Sequence, residues 1–226
     1  MSNETIPPVS AIADVLSLWG RDGWLTPPLR PVVAAARPTQ GRVRTVTIEA
    51  AQSGPGLTSI YDVLSDDLSG RFVVVSGATP VGGAVWGEIL LLAARQSGAF
   101  GVLVDGAVRD RPAMEAVGLP IYASDQRVVG PQGLAHVVAI DAYIAIDDIG
   151  IDPSDHVVVD ETGCVRVRHD ELGEVLDAAA KYAAAEDLVL LALREGEPIT
   201  SAYQYKKSIV DDLKRSAGSS GRQGAT

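Results

Sequence analysis

The chain has 226 residues, 46% of them hydrophobic, enough to bury one sizeable core, and we expect a single domain over 1–215 with a disordered tail over 216–226. Nineteen Lys and Arg against 29 Asp and Glu leave a formal charge of -10, which repels a phosphate backbone and excludes nucleic acid as an expected partner. The opening MSNETIPPVS lacks the basic and apolar regions of a signal peptide, and no apolar run is long enough to span a bilayer, so a cytoplasmic protein without membrane contact is expected.

Helical spacing of Ile12, Val15, Leu16 and Trp19 predicts a first helix over about 10–18, closed by Gly20. Pro27, Pro28 and Pro31 argue against regular structure next. Residues 43–48 alternate as a strand, the SGPG stretch at 53–56 reads as a turn, and a short helix is expected over 60–68. RFVVVS at 71–76 and GVLVD at 101–105 are continuous β-branched runs, the mark of strands covered on both faces. A helix expected over 85–96 lies between them, so the three elements form a βαβ unit with a right-handed crossover and a parallel strand pair.

Further strands are expected over 137–146, 156–159 and 164–167, the last two joined as a hairpin through Glu161, Thr162 and Gly163. A long helix over 170–195 carries Leu172, Val175, Leu176, Ala179 and Ala183, and another follows Pro198 to Leu213. Cys164 is the only cysteine, and its apolar strand setting reads as a small buried hydrophobe rather than a nucleophile.

The chemistry concentrates in VGGAVWGEILLLAARQSGAFGVLVDGAVRD at 81–110. Gly82, Gly83 and Gly87 stand where the first strand feeds the helix, so either the backbone approaches a ligand there or helix and strand simply pack closely. Glu88 falls at the helix N-terminus, where the free amides of Ile89 and Leu90 can take a carboxylate. Arg109 and Asp110 follow the second strand, at the carboxyl end where open α/β sheets bind ligands. Arg109 can clamp a carboxylate or polarise a carbonyl, and Asp110 with Glu88 offers hard oxygens to a divalent cation. A surface Arg-Asp ion pair beside an exposed helix Glu explains the same spacing without a ligand.

WGEILLLAARQSGAFGVLVDGAVRD followed by GLPIYA resembles the signature of the regulator of ribonuclease activity A family, which includes class II 4-hydroxy-4-methyl-2-oxoglutarate aldolases. YDVLSDDLSG before RFVVVSGA and DPSDHVVVDETGCVRV extend the likeness more loosely. The resemblance implies an α/β/α sandwich of the swivelling phosphohistidine-domain type, here with a C-terminal helical segment, assembled as a homotrimer or hexamer. It also implies a Mg²⁺- or Mn²⁺-dependent lyase that cleaves a 4-hydroxy-2-oxo acid to pyruvate and decarboxylates oxaloacetate. On that resemblance Asp110 holds the metal largely through water and Glu88 sits in its outer sphere. Arg109 binds the oxo group, while Gly87 and the amides of Ile89 and Leu90 receive the substrate.

The chain departs from the family pattern at Ala113, where an acidic residue is usual, at Arg111-Pro112, at Ser154 in place of a turn glycine, and over the loop 124–136. Two alternatives therefore stay open: the same scaffold turned to a lyase reaction in a specialised pathway, or a non-catalytic binder like the ribonuclease regulators. His136, His156 and His169 lack metal-ligand spacing, Asp105 could orient Arg109 or close a turn with Gly106, and Lys206 with Lys207 reads as a solvated helix face.

Overall fold

The computed structural model describes residues 5–26, 28–53 and 56–220, with the backbone alone over 216–220. Contacts divide the chain into two compact units, one formed by 24–169 and the other by the N-terminal segment through 23 together with 170 onward. Among the described residues no helix is long and apolar enough to cross a membrane.

In chain order the elements are α1 (Val9–Leu18), β1 (Arg30–Val33), β2 (Thr39–Ala50), α2 (Ser59–Ser65), β3 (Arg71–Ser76), α3 (Glu88–Gln96), β4 (Gly101–Val108), α4 (Arg111–Val117), β5 (Ile121–Gln126), β6 (Ala135–Ile140), β7 (Ile144–Ile146), β8 (Ile149–Ile151), β9 (His156–Asp160), β10 (Gly163–Val167), α5 (Leu172–Arg194), α6 (Ile199–Ala202) and α7 (Gln204–Ser220). The larger unit is a mixed α/β fold on a sheet ordered β1-β5-β4-β3-β2-β9-β10, with β6 also paired to β2. Its centre is parallel: β2 with β3, β3 with β4 and β4 with β5. The βαβ unit expected from the sequence is therefore the middle of the sheet.

Both faces of the central strands are buried, which is why β3 and β4 read as unbroken apolar runs. Val73, Val75, Val102 and Val104 point into one core with Ile60, Val63, Leu91, Ala94 and Met114 from α2, α3 and α4. Phe72, Val74 and Leu103 point the other way, into a core with Ile144, Ile146, Ile149 and Ile151 of the β7-β8 hairpin. Within this unit the second face is thus covered by a hairpin and not by a second helical layer. Cys164 lies in that second core at 1% exposure, and burial pushes its thiol up to about 12.

Several boundaries differ from expectation for local reasons. The proline-rich segment forms β1, and Pro31 is accommodated because β1 is the edge strand, paired only to β5; Pro27 lies outside the described residues, as do 54–55 in the SGPG turn. The strand expected over 137–146 breaks into β6 and β7 at Asp141, whose φ of 53° turns the chain. Pro112 and Gly118 bracket α4, a helix of 7 residues, too short to show a periodic stripe.

In the helical unit α5 packs against α1 and α7. Lys206 corrects the expectation of a solvated face: it is buried, its Nζ lies 2.6 Å from Glu186 Oε1 and 3.9 Å from the centroid of the Tyr182 ring. Tyr182 in turn donates to Asp14 Oδ2 at 2.7 Å. Where a tail was expected from 216, α7 runs on to Ser220, and 221–226 lie outside the described residues.

Candidate active site

The helix expected from Val85 starts only at Glu88. Residues before it are held extended by the end of β4: Val85 N donates to Ala107 O at 2.8 Å and Arg109 N donates to Trp86 O at 3.0 Å, a short parallel bridge between Trp86 and Val108. The glycine-rich loop is therefore stitched alongside the strand that ends in Arg109 and Asp110. Trp86 anchors the stitch, 1% exposed in the core under α3.

This places Gly87 against the Arg109-Asp110 pair. A Cβ built on Gly87 would lie 2.8 Å from Asp110 Oδ2 and 3.3 Å from Arg109 Cγ, so the position admits no side chain without displacing the pair. Gly83 is needed for a similar reason on the other side, since its Cβ would stand 2.2 Å from Gly130 O. The segment after β5 closes over the loop there: Ala84 N donates to Val129 O at 2.8 Å and Arg127 Nη1 to Gly82 O at 3.2 Å. A Cβ on Gly130 would sit 3.3 Å from Arg109 Nη1, so 127–131 forms the back wall behind the guanidinium.

Arg109 and Asp110 form an ion pair of 3.5 Å with side chains 45% and 48% exposed, loose enough for both to reach a ligand. Asp110 has φ 65° and ψ 36° as the residue leading into α4, a left-handed conformation that Asp tolerates better than most side chains. That backbone turns its carboxylate back toward Gly87 instead of along the helix. At α3, Gly87 caps the helix without a side-chain hydrogen bond. The first-turn amides of Glu88, Ile89 and Leu90 have no i−4 carbonyl to bond, and Leu91 N donating to Gly87 O at 3.0 Å is the first such bond of the helix.

These parts line one cavity of about 280 Å³, walled by Trp86, Gly87, Glu88, Ile89, Leu90, Arg109 and Asp110, with Tyr61, Leu57, Pro131 and Gly133 on the far side. Every residue singled out in the sequence for catalysis, substrate or metal falls on this cavity. Tyr61 and the Gly130-Pro131 turn were not singled out; the only sequence signal for the latter is the Gly-Pro pair itself. Asp105 stands apart, accepting from Thr79 Oγ1 at 2.7 Å and Gly77 N at 3.4 Å, and so closes the turn after β3 without contacting Arg109. His156 of β9 and His169, just after β10, stack at 5.7 Å between ring centroids and do not line this cavity.

The carboxylates on the cavity wall are Glu88 and Asp110, and among the described residues no group of three or more His, Cys, Asp or Glu could enclose a metal. This donor set suits a hard cation that keeps most of its water, as Mg²⁺ does, and does not suit zinc or another ion needing a closed cage.

Comparison with known proteins places this arrangement. The model of the RraA-like family, described as Aldolase/RraA, matches residues 9–166. A protein of Halalkalibacterium halodurans named "Putative 4-hydroxy-4-methyl-2-oxoglutarate aldolase" is 25% identical over 166 residues, 74% of this chain and 77% of that one. Protein DlpA of Legionella pneumophila is 22% identical over 130 residues, 58% of this chain but only 21% of its own length. A solved Streptomyces coelicolor structure, described as an unusual member of the RNase ES inhibitor RraA protein family, superposes with a TM-score of 0.71 at 23% identity, over 80% of this chain and 91% of that one. With its glycine loop, Arg109-Asp110 corner and central parallel strands inside the matched span, the chain belongs to the RraA-like family, which includes both aldolases and ribonuclease regulators.

Proposed function

We propose that the protein is a divalent-metal-dependent carbon-carbon lyase acting on a small 2-oxo acid, by retro-aldol cleavage of a 4-hydroxy-2-oxo acid to pyruvate and by decarboxylation of oxaloacetate. The observation that carries this reading is the convergence of a free helix N-terminus, a guanidinium and two carboxylates on one cavity of about 280 Å³, large enough for a small acid of this class. The charges on that wall, Glu88 and Asp110 against Arg109, sum to -1, so the bare site repels an anion. A bound Mg²⁺ or Mn²⁺ reverses the sign and polarises the 2-oxo oxygen.

Asp110 would hold the ion, directly or through water, with Glu88 orienting its water shell. Ile89 and Leu90 present their amides to the substrate carboxylate, at the positive end of the α3 dipole. Arg109 donates to the 2-oxo oxygen and stabilises the negative charge that gathers there as the carbon-carbon bond breaks. The 127–131 segment passes close behind its guanidinium, where a Cβ on Gly130 would lie 3.3 Å from Nη1. The homotrimeric or hexameric assembly and the cytoplasmic setting belong to the same reading.

The experiment compares Arg109→Lys and Asp110→Asn on oxaloacetate, following pyruvate release with and without EDTA. Arg109→Lys keeps the charge but loses the fork, so turnover falls by roughly 10² while the Mg²⁺ requirement is unchanged. Asp110→Asn keeps a side chain that tolerates the left-handed backbone, so its loss of activity reports the missing charge, and high Mg²⁺ partly restores it. Metal-independent wild-type activity, or full activity in both variants, refutes the assignment. Complete inactivity of the wild-type protein on 2-oxo acids leaves the cavity a binding site and favours the regulator-like role.

A further inference from the structure

The helices after residue 166 lie outside the span matched by the family, and α5 carries a feature that the proposed lyase site does not use. Leu188 and Leu191 are 51% and 52% exposed, beside Val189 and Ala192, which are buried in a cluster with Ala202 of α6. Leu188 and Leu191 continue a row of exposed positions through Ala184 and Lys181 to Glu195, the three-four spacing of a two-helix seam. Along one flank of this row stand Asp187 and Arg194, both exposed, seven residues apart and hence on the same side of the helix. Neither has an ion-pair partner among the described residues.

We propose that this face binds a second copy of the chain, α5 against α5 in antiparallel orientation about a two-fold axis passing between residues 190 and 191. The orientation follows from charge. Residues at one flank position of an antiparallel pair face the same flank of the partner helix, and an axis midway between 187 and 194 sets Asp187 opposite the other copy's Arg194, twice over. A parallel pair sets each flank against the opposite flank of the partner helix, so Asp187 and Arg194, which share one flank, do not meet and neither ion pair forms. The same antiparallel register packs Leu188 of one helix beside Leu191 of the other, covering two exposed leucines that a chain of formal charge -10 otherwise leaves to water. An isologous contact of this kind needs no third surface and closes on itself.

Sedimentation equilibrium of the full-length protein tests this. Leu188→Glu with Leu191→Glu changes only exposed positions and halves the assembly mass, with circular dichroism unchanged. Asp187→Arg alone weakens association at least about 10-fold, and Asp187→Arg combined with Arg194→Asp restores it, since the swapped charges still face each other. Orientation is read by single cysteines, because the native Cys164 is buried. Leu191→Cys oxidises to a covalent dimer, whereas Lys181→Cys does not, since antiparallel packing sets the two copies of position 181 about 28 Å apart at 1.5 Å per residue. An unchanged mass in the double-leucine variant overturns the proposal, as does a failure of the charge swap to rescue or a cross-link through position 181.

Discussion

Gly87→Ala isolates the geometry of the proposed site from the stability of the fold. Gly87 has φ -165° and ψ -167°, extended backbone open to any residue, so the substitution carries no conformational strain. Its single new methyl lands 2.8 Å from Asp110 Oδ2 and 3.3 Å from Arg109 Cγ. An ordinary carbon-oxygen contact is about 3.3 Å or more, so the carboxylate must retreat by roughly 0.5 Å. Asp110 is 48% exposed and its tip is free to swing, which makes the retreat inexpensive for folding. The entropy removed from the unfolded chain, worth about 0.4–1 kcal/mol, offsets the crowding. Catalysis tolerates such a move poorly: a misplacement of about 1 Å costs on the order of 10² in rate, so a shift half that size predicts roughly a 10-fold loss of kcat/KM. The assay is pyruvate release from oxaloacetate at several Mg²⁺ concentrations beside a thermal melt. The expected result is a melting temperature within a few degrees of wild type, reduced activity and a raised Mg²⁺ requirement. Wild-type activity and Mg²⁺ dependence in Gly87→Ala would refute the placement of Asp110 and Arg109 in the reacting centre.

Three predictions concern the scaffold. Tyr122 is fully buried, donates to Asp160 O at 2.6 Å and accepts from Ala35 N at 3.1 Å; Tyr122→Phe removes both hydrogen bonds and lowers unfolding free energy by about 2 kcal/mol in urea titration. Burial first, then the neighbouring His169 and Arg42, holds His156 below its usual 6.5, so the unfolded chain takes up the proton first as pH falls. The stability it contributes is present above the unfolded pKa and is lost as pH drops through the lower folded value, so urea midpoints decline as pH falls through 6.5 and below, and less steeply in His156→Gln. An equal slope in that variant assigns the decline to other groups. Cys164, with its thiol raised to about 12, resists iodoacetamide at neutral pH in the folded protein and reacts once urea exposes it.

The parts of the fold legible in the sequence are those whose burial is two-sided or strictly periodic. RFVVVS matched β3 residue for residue because both of its faces meet a core, and α1 was legible from one apolar stripe. Elements defined by tertiary pairing were not: β1 exists because an edge position forgives Pro31, and Val85 and Trp86 are extended because β4 bonds to them, despite a helical pattern in their side chains. Helix α4 was announced only by Pro112 near its start and Gly118 after its end, the proline-glycine asymmetry of helix termini. At the candidate site the residues on either side of the crossover were legible, since strand ends and a glycine loop converge by topology. The far wall at 56–61 and 131–133 was not, because nothing in a local pattern shows which distant turn folds over a cavity. Lys206 was misread for the same reason: its partners Glu186 and Tyr182 lie on α5, at least 20 residues away.

The backbone stitch between 85–87 and 107–109 divides the cavity into a fixed ledge and an adjustable lip. Glu88 stands at the start of α3, and Arg109 and Asp110 at the end of β4 in the central sheet, whereas Pro131 and Gly133 come from the connection between β5 and β6. Insertions or substitutions in the lip can reshape the space offered to a ligand without moving the ledge. A lineage built on this plan can exchange one ligand for another while keeping the same charged corner, and the divergent loop after β5 in this chain lies where such an exchange is written.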